Sequence, residues 1–88
     1  MEEKRILIPK ELLDRSNLKG CNKVLFIFED EKILLAPYEE DWYGLQVLGS
    51  RALDNKGRFS IPMYLHIEPE KVVVMLLNGE IWITRHPF

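Results

Sequence analysis

The sequence is poor in the residues that redox, metal and hydrolytic chemistry rely on. Cys21 is the only cysteine, so there is no disulfide framework and no cysteine-rich metal site. His66 and His86 are the only histidines, and neither stands at a catalytic or metal-ligand spacing. No glycine-rich phosphate loop is present, and most carboxylates fall in turns, where solvation accounts for them. The expectation is a protein that is not an enzyme and that needs no cofactor and no metal. No run approaches the roughly 18 apolar residues of a membrane span. The opening MEEKR begins with acids where a signal peptide has its basic and apolar segments. A cytoplasmic protein is expected.

A surplus of base is also missing. The net charge is −2, whereas nucleic-acid modules are usually basic overall. The charge is unevenly placed, however. Residues 1–44 carry seven Lys/Arg against ten Asp/Glu, and residues 45–88 carry five against four. Placement therefore matters more than the total.

What the chain does have is apolar content, 47% in 88 residues. So short a domain is marginal unless tightly packed or oligomeric, and this excess fits an interwoven core or a subunit interface.

The chain also repeats itself. Arg5-Ile6-Leu7-Ile8-Pro9 returns as Arg58-Phe59-Ser60-Ile61-Pro62, and Leu12 then matches Leu65. Lys23–Phe28 matches Lys71–Leu76, and Ile33-Leu34-Leu35 falls on Ile81-Trp82-Ile83. This divides a single domain into a first copy at 1–37, a linker at 38–44 and a second copy at 45–88.

Each copy has the same local logic. A short β-branched run ends in Ile-Pro, and proline suits the first turn of a helix. Pro9 to about Ser16 has room for two turns, with Leu12 and Leu13 inward; Met63 to His66 has room for one. The strands Val24–Phe28 and Val72–Leu77 show no alternation, which predicts burial on both faces. Asn78-Gly79 is a strong two-residue hairpin signal, whereas Asp30-Glu31 fits it poorly and suggests a longer turn. A leading strand at about Leu45–Leu53, bulged or bent at Gly49-Ser50, precedes the turn Asp54-Asn55-Lys56-Gly57. The linker reads as a helical turn with Trp42 packed on the core.

The segment Arg51-Ala-Leu-Asp-Asn-Lys-Gly-Arg-Phe-Ser-Ile-Pro62 resembles the signature of the AbrB/SpoVT/MraZ family of transcriptional regulators. The first half is similar from Arg5 onward, through RILIPKELL, KVLFIFED and KILLAP. Two copies in one chain resemble the MraZ branch in particular. The resemblance implies a mainly β protein with short helices, folded as a swapped-hairpin (double-psi-like) β-barrel of two tandem AbrB-like units. It also implies DNA binding through basic residues on the first hairpin and the adjoining helix. Carried over by position, Arg51 and Arg58 match the family's basic residues, Lys56 lies in the same turn, and Arg5 matches Arg58. The basic pair that often follows Ile-Pro is replaced by Leu13-Asp14, with Arg15 next, and by His66-Ile67.

The chemistry of that reading is direct. A two-stranded ribbon fits the major groove, and arginine makes bidentate contacts with guanine or phosphate. Lys4, Lys10 and Arg15 are candidates for added phosphate contacts. Seven of the twelve basic residues would then share one surface, with Glu29, Asp30 and Glu31 at the far hairpin. The expected partner is double-stranded DNA, read by a homo-oligomer acting as a nucleoid-associated regulator. The alternative is a protein-interaction module, antitoxin-like or a degenerate regulator that assembles without DNA. The acidic charge and the missing basic pair favour the alternative; the retained Asp-Asn-Lys-Gly-Arg hairpin opposes it.

Overall fold

The computed structural model describes residues 4–38 and 46–85. Of these, 51% lie in strands and 15% in helical turns, which makes the protein mainly β. The order is β1 (Arg5–Leu7), α1 (Lys10–Asp14), β2 (Lys23–Glu29), β3 (Lys32–Pro37), β4 (Gln46–Ala52), β5 (Arg58–Ser60), β6 (Val72–Leu77) and β7 (Glu80–Arg85). Two 3-10 turns, Met63–Leu65 and Pro69–Lys71, lie between β5 and β6.

The strands form a two-stranded sheet, β1-β5, and a five-stranded sheet in the order β4-β2-β3-β7-β6. All pairs are antiparallel. Every junction outside the two tight hairpins joins the halves of the chain: β1 to β5, β2 to β4, and β3 to β7. Among the described residues the two sheets do not close into a barrel.

One core lies between the sheets. Ile6 and Phe59 point inward from the small sheet. Val24, Phe26, Leu35, Ile81 and Ile83 point inward from the large one. The rings of Phe26 and Phe59 meet at 5.8 Å between centroids. Leu25, Ile27, Leu34 and Ala36 form a second buried group on the other face of the large sheet, with Trp82 beside them.

Several details differ from what the sequence suggests. Helix α1 is one short turn rather than two. Ser16 stops it: its hydroxyl donates to the Leu13 carbonyl at 2.8 Å and accepts from the Leu18 N–H at 3.1 Å. Leu12 and Leu13 are half-buried. Asp30-Glu31 makes a two-residue turn like Asn78-Gly79, with φ of 51° and 61° and Glu29 paired to Lys32. No longer loop forms, and the register of the flanking strands imposes the left-handed backbone on two side-chain-bearing residues. Strand β6 is half-buried along most of its length, not enclosed, because it sits at the edge of its sheet. The leading strand β4 runs on into a ladder with β2 rather than with β5. Its register shifts between Phe26 and Ile27, placing a bulge at Leu48-Gly49. The linker turn and Trp42 lie outside the described residues.

Candidate nucleic-acid interface

The β1-β5 ribbon has one inward and one outward face. In its register Arg5 pairs with Ser60, Ile6 with Phe59 and Leu7 with Arg58. Because side chains alternate, Ile6 and Phe59 are buried while Arg5, Leu7 and Arg58 are exposed. Arg5 and Arg58 are diagonal neighbours on that outward face, a spacing of roughly 7 Å between strands.

Arg51 joins them from β4, where it faces Val24 of β2 and is half-buried. One of its terminal nitrogens donates to the Ser50 carbonyl at 2.7 Å. Arg5, Arg51 and Arg58 together line a shallow depression of about 370 Å³, with Asp54 and Ser60 also at its wall. Three strands and both halves of the chain contribute to it.

The 54–57 turn fixes Arg58. The Asp54 N–H donates to the Arg58 carbonyl at 3.0 Å and the Gly57 N–H to the Asp54 carbonyl at 3.1 Å. One Asp54 carboxylate oxygen accepts the backbone N–H groups of Lys56 and Arg58, at 2.9 and 2.8 Å. The other accepts Arg58 Nε at 2.8 Å. These contacts hold the carboxyl below its usual range: the Arg58 backbone N–H contributes most, then the guanidinium bond and the Lys56 N–H. Among the described residues the Arg58 guanidinium bonds through Nε alone, which leaves its terminal nitrogens able to donate to an anion.

Gly57 locks the turn to the rest of the fold. Its φ is +85°, and its carbonyl accepts the Ile8 N–H at 2.8 Å. A β-carbon there would lie 2.8 Å from the Ile8 carbonyl oxygen and 3.4 Å from Leu13. Helix α1, with exposed Lys10 and with Arg15 at its end, therefore packs beside the turn that carries exposed Lys56.

Lys4 does not join this group. It lines a separate groove with Met63, His66 and Glu68. Glu68 is bonded to Lys71 at 3.0 Å, which is the main reason its carboxyl is lowered; Lys4 adds a smaller attraction. The seven basic residues thus fall into three arginines at one depression, Lys56, Lys10 and Arg15 on adjoining elements, and Lys4 elsewhere. The acidic turn at Glu29–Glu31 is at the opposite end of β2 from Lys23, which pairs with Ala52 beside Arg51. A strand of that length puts it roughly 20 Å away.

Asp54 as an anchor and Leu7 as an exposed apolar group were not singled out from sequence. The Asp-x-Lys-x-Arg spacing held the first signal, since Asp side chains bond to backbone two residues on. The second needs the β1-β5 register.

Comparison with known proteins finds no matching family model, no similar curated protein and no similar solved structure. Among the described residues no helix is long and apolar enough to cross a membrane, and no cluster of ligands suits a metal ion.

Proposed function

We propose that this protein is a DNA-binding transcriptional regulator, and that its interleaved halves are a pair of AbrB-like swapped hairpins whose two sheets, among the described residues, stay open rather than closing into a barrel. The observation that carries this reading is the convergence of Arg5, Arg51 and Arg58 on one depression at the outer face of a two-stranded ribbon. Guanidinium groups on a ribbon suit both phosphate oxygens and the O6/N7 edge of guanine in the major groove. Exposed Leu7, which pairs with Arg58 across the ribbon, suits a thymine methyl. The Asp54 bond holds Arg58 in one orientation, which reduces the entropy lost when a partner is bound. Lys56, Lys10 and Arg15 extend the basic surface on neighbouring elements, and the distant acidic turn gives the molecule a polarity that its net charge hides. The reading needs no cofactor and no catalysis, and it implies work at the nucleoid in a homo-oligomer.

The test is fluorescence anisotropy against mixed-sequence duplex DNA at low and moderate salt, with the Arg51→Ala/Arg58→Ala double variant alongside. The expected result is binding that falls with salt at a log–log slope of about −0.9 per phosphate neutralised. The double change abolishes it while circular dichroism is unchanged. No binding at about 50 mM salt, where phosphate contacts are strong, sinks the proposal and leaves the protein-interaction module as the better reading.

A further inference from the structure

The two edges of the five-stranded sheet are unlike. Strand β4 is interrupted by its bulge and carries Ser50 and Arg51. Strand β6 reads Val-Val-Val-Met-Leu-Leu, pairs in unbroken register with β7, and holds no charge, proline or glycine. Among the described residues nothing pairs with its outer side. Edges of that kind normally carry a lysine, a proline or a bulge that prevents pairing with another chain.

Burial along β6 shows what kind of cover it lacks. Val72 to Leu76 are all half-buried, whichever face each side chain points to. The interior strand β3 buries Leu34, Leu35 and Ala36 on both faces. A face open to water produces alternation, whereas a missing lateral neighbour lowers burial on both faces alike. Even burial along β6 fits a strand that lacks a neighbour alongside it.

The hydrogen-bond pattern agrees. Leu77 and Glu80 flank the two-residue turn and form its bonded pair. Bonded and non-bonded pairs alternate from there, so Leu77, Met75 and Val73 bond to β7. Val72, Val74 and Leu76 turn their N–H and C=O groups outward.

We propose that the outer edge of β6 pairs antiparallel with β6 of a second copy of this chain, about a two-fold axis through Val74. In that register Val74 meets its own counterpart, Val72 meets the second Leu76, and Val73 meets the second Met75. Every outward N–H and C=O finds a mate, and no charge is opposed or buried. The strand is its own complement, and an isologous contact of this type closes at two copies. Met75 pairs with Trp82 on one face, so both half-exposed side chains gain cover beside the axis. The contact stands independently of DNA binding. It lies at the opposite edge of the sheet from Arg51 and leaves the arginine depressions of both copies open.

Sedimentation velocity on the full chain across micromolar concentrations, combined with amide hydrogen exchange, tests this. The expected result is a dimer in which the amides of Val72, Val74 and Leu76 become protected as concentration rises, and which Met75→Lys converts to a folded monomer. Should Met75→Lys fail to fold, exchange on the unaltered chain still decides. A monomer throughout overturns the proposal, as does a dimer whose three outward amides exchange freely. Protection gained only on adding an extended apolar peptide to a monomer also overturns it, in favour of a peptide partner. DNA affinity plays no part in these readouts, so failure of one proposal leaves the other intact.

Discussion

Tyr64 stands over Gly49. Its hydroxyl donates to the Leu48 carbonyl at 2.7 Å and occupies the space that a β-carbon on Gly49 would need. The bulge in β4 frees that carbonyl from the ladder, and the 3-10 turn after Pro62 delivers the phenol that bonds it. Tyr64→Phe is expected to cost about 1 kcal/mol, the worth of one ordinary hydrogen bond. Gly49→Ala should cost more, and Tyr64→Ala in the same molecule should recover part of the loss. A double-mutant cycle from urea unfolding measures that coupling, and strict additivity would contradict it.

Gly57 and Gly79 both have positive φ, +85° and +79°, but only Gly57 is crowded. Gly79→Ala pays for backbone conformation alone, about 1 kcal/mol. Gly57→Ala adds the clash with the Ile8 carbonyl and is expected to cost about 2–4 kcal/mol in total. Equal losses in unfolding free energy for the two variants would show that the Ile8 contact is slack.

The turn at Asp30-Glu31 is a site for improvement. Both residues hold the left-handed conformation, which costs a side-chain-bearing residue about 1–2 kcal/mol and glycine almost nothing. Glu31→Gly should therefore stabilise the protein by about 1 kcal/mol. It should raise the urea midpoint while leaving the slope of the transition unchanged.

Asp54 links stability to acid. Its carboxyl titrates below the ordinary value of 3.8 because the folded protein bonds its charged form, through the Arg58 N–H first. A group depressed in this way contributes stability that is present above its unfolded pKa and is lost as pH falls through its folded pKa. Asp54→Asn should flatten the stability profile below about pH 4 relative to the unaltered protein. Denaturant titrations at a series of acidic pH values read the difference; parallel profiles would mean that the carboxylate bonds equally well in the unfolded chain.

The same aspartate orients Arg58, so it bears on the proposed DNA binding as well. Asp54→Ala is expected to weaken DNA affinity although it removes a negative charge from the depression. If affinity rises instead, charge outweighs orientation at this site.

Much of the local structure was legible in the residues. Asn78-Gly79, the glycine closing the 54–57 turn, the bulge near Gly49 and the single turn after Pro62 each rest on short-range chemistry. Their signals lie within a few neighbours, even where Tyr64 and Ile8 later brace the bulge and the turn from far along the chain. The interleaving of the halves was not legible to the same degree. Nothing within Val72–Leu77 distinguishes an enclosed strand from an edge, because burial depends on which strand comes to lie beside it. Asp30-Glu31 shows the converse: flanking strands held in register by Leu25, Ile27, Leu34 and Ala36 force a turn that its own residues disfavour. At the candidate site, Arg51 and Arg58 were visible as a pair around one turn. Their meeting with Arg5 depended on β1 crossing to β5, and the separation of Lys4 from the others depended on the path of residues 61–68.

The pairing of β1 with β5, β2 with β4 and β3 with β7 also sets when this protein becomes a protein during synthesis. A ribosome that has released only the first half has produced one hairpin, β2-β3, whose lateral partners do not yet exist. A lone hairpin in water is marginal at best. β2 gains its lateral partner when β4 (Gln46–Ala52) follows, but β3 stays unpaired on its other side until β7 (Glu80–Arg85) has emerged. A nick between the halves should be tolerated when both fragments are present together, since each supplies the strands the other lacks.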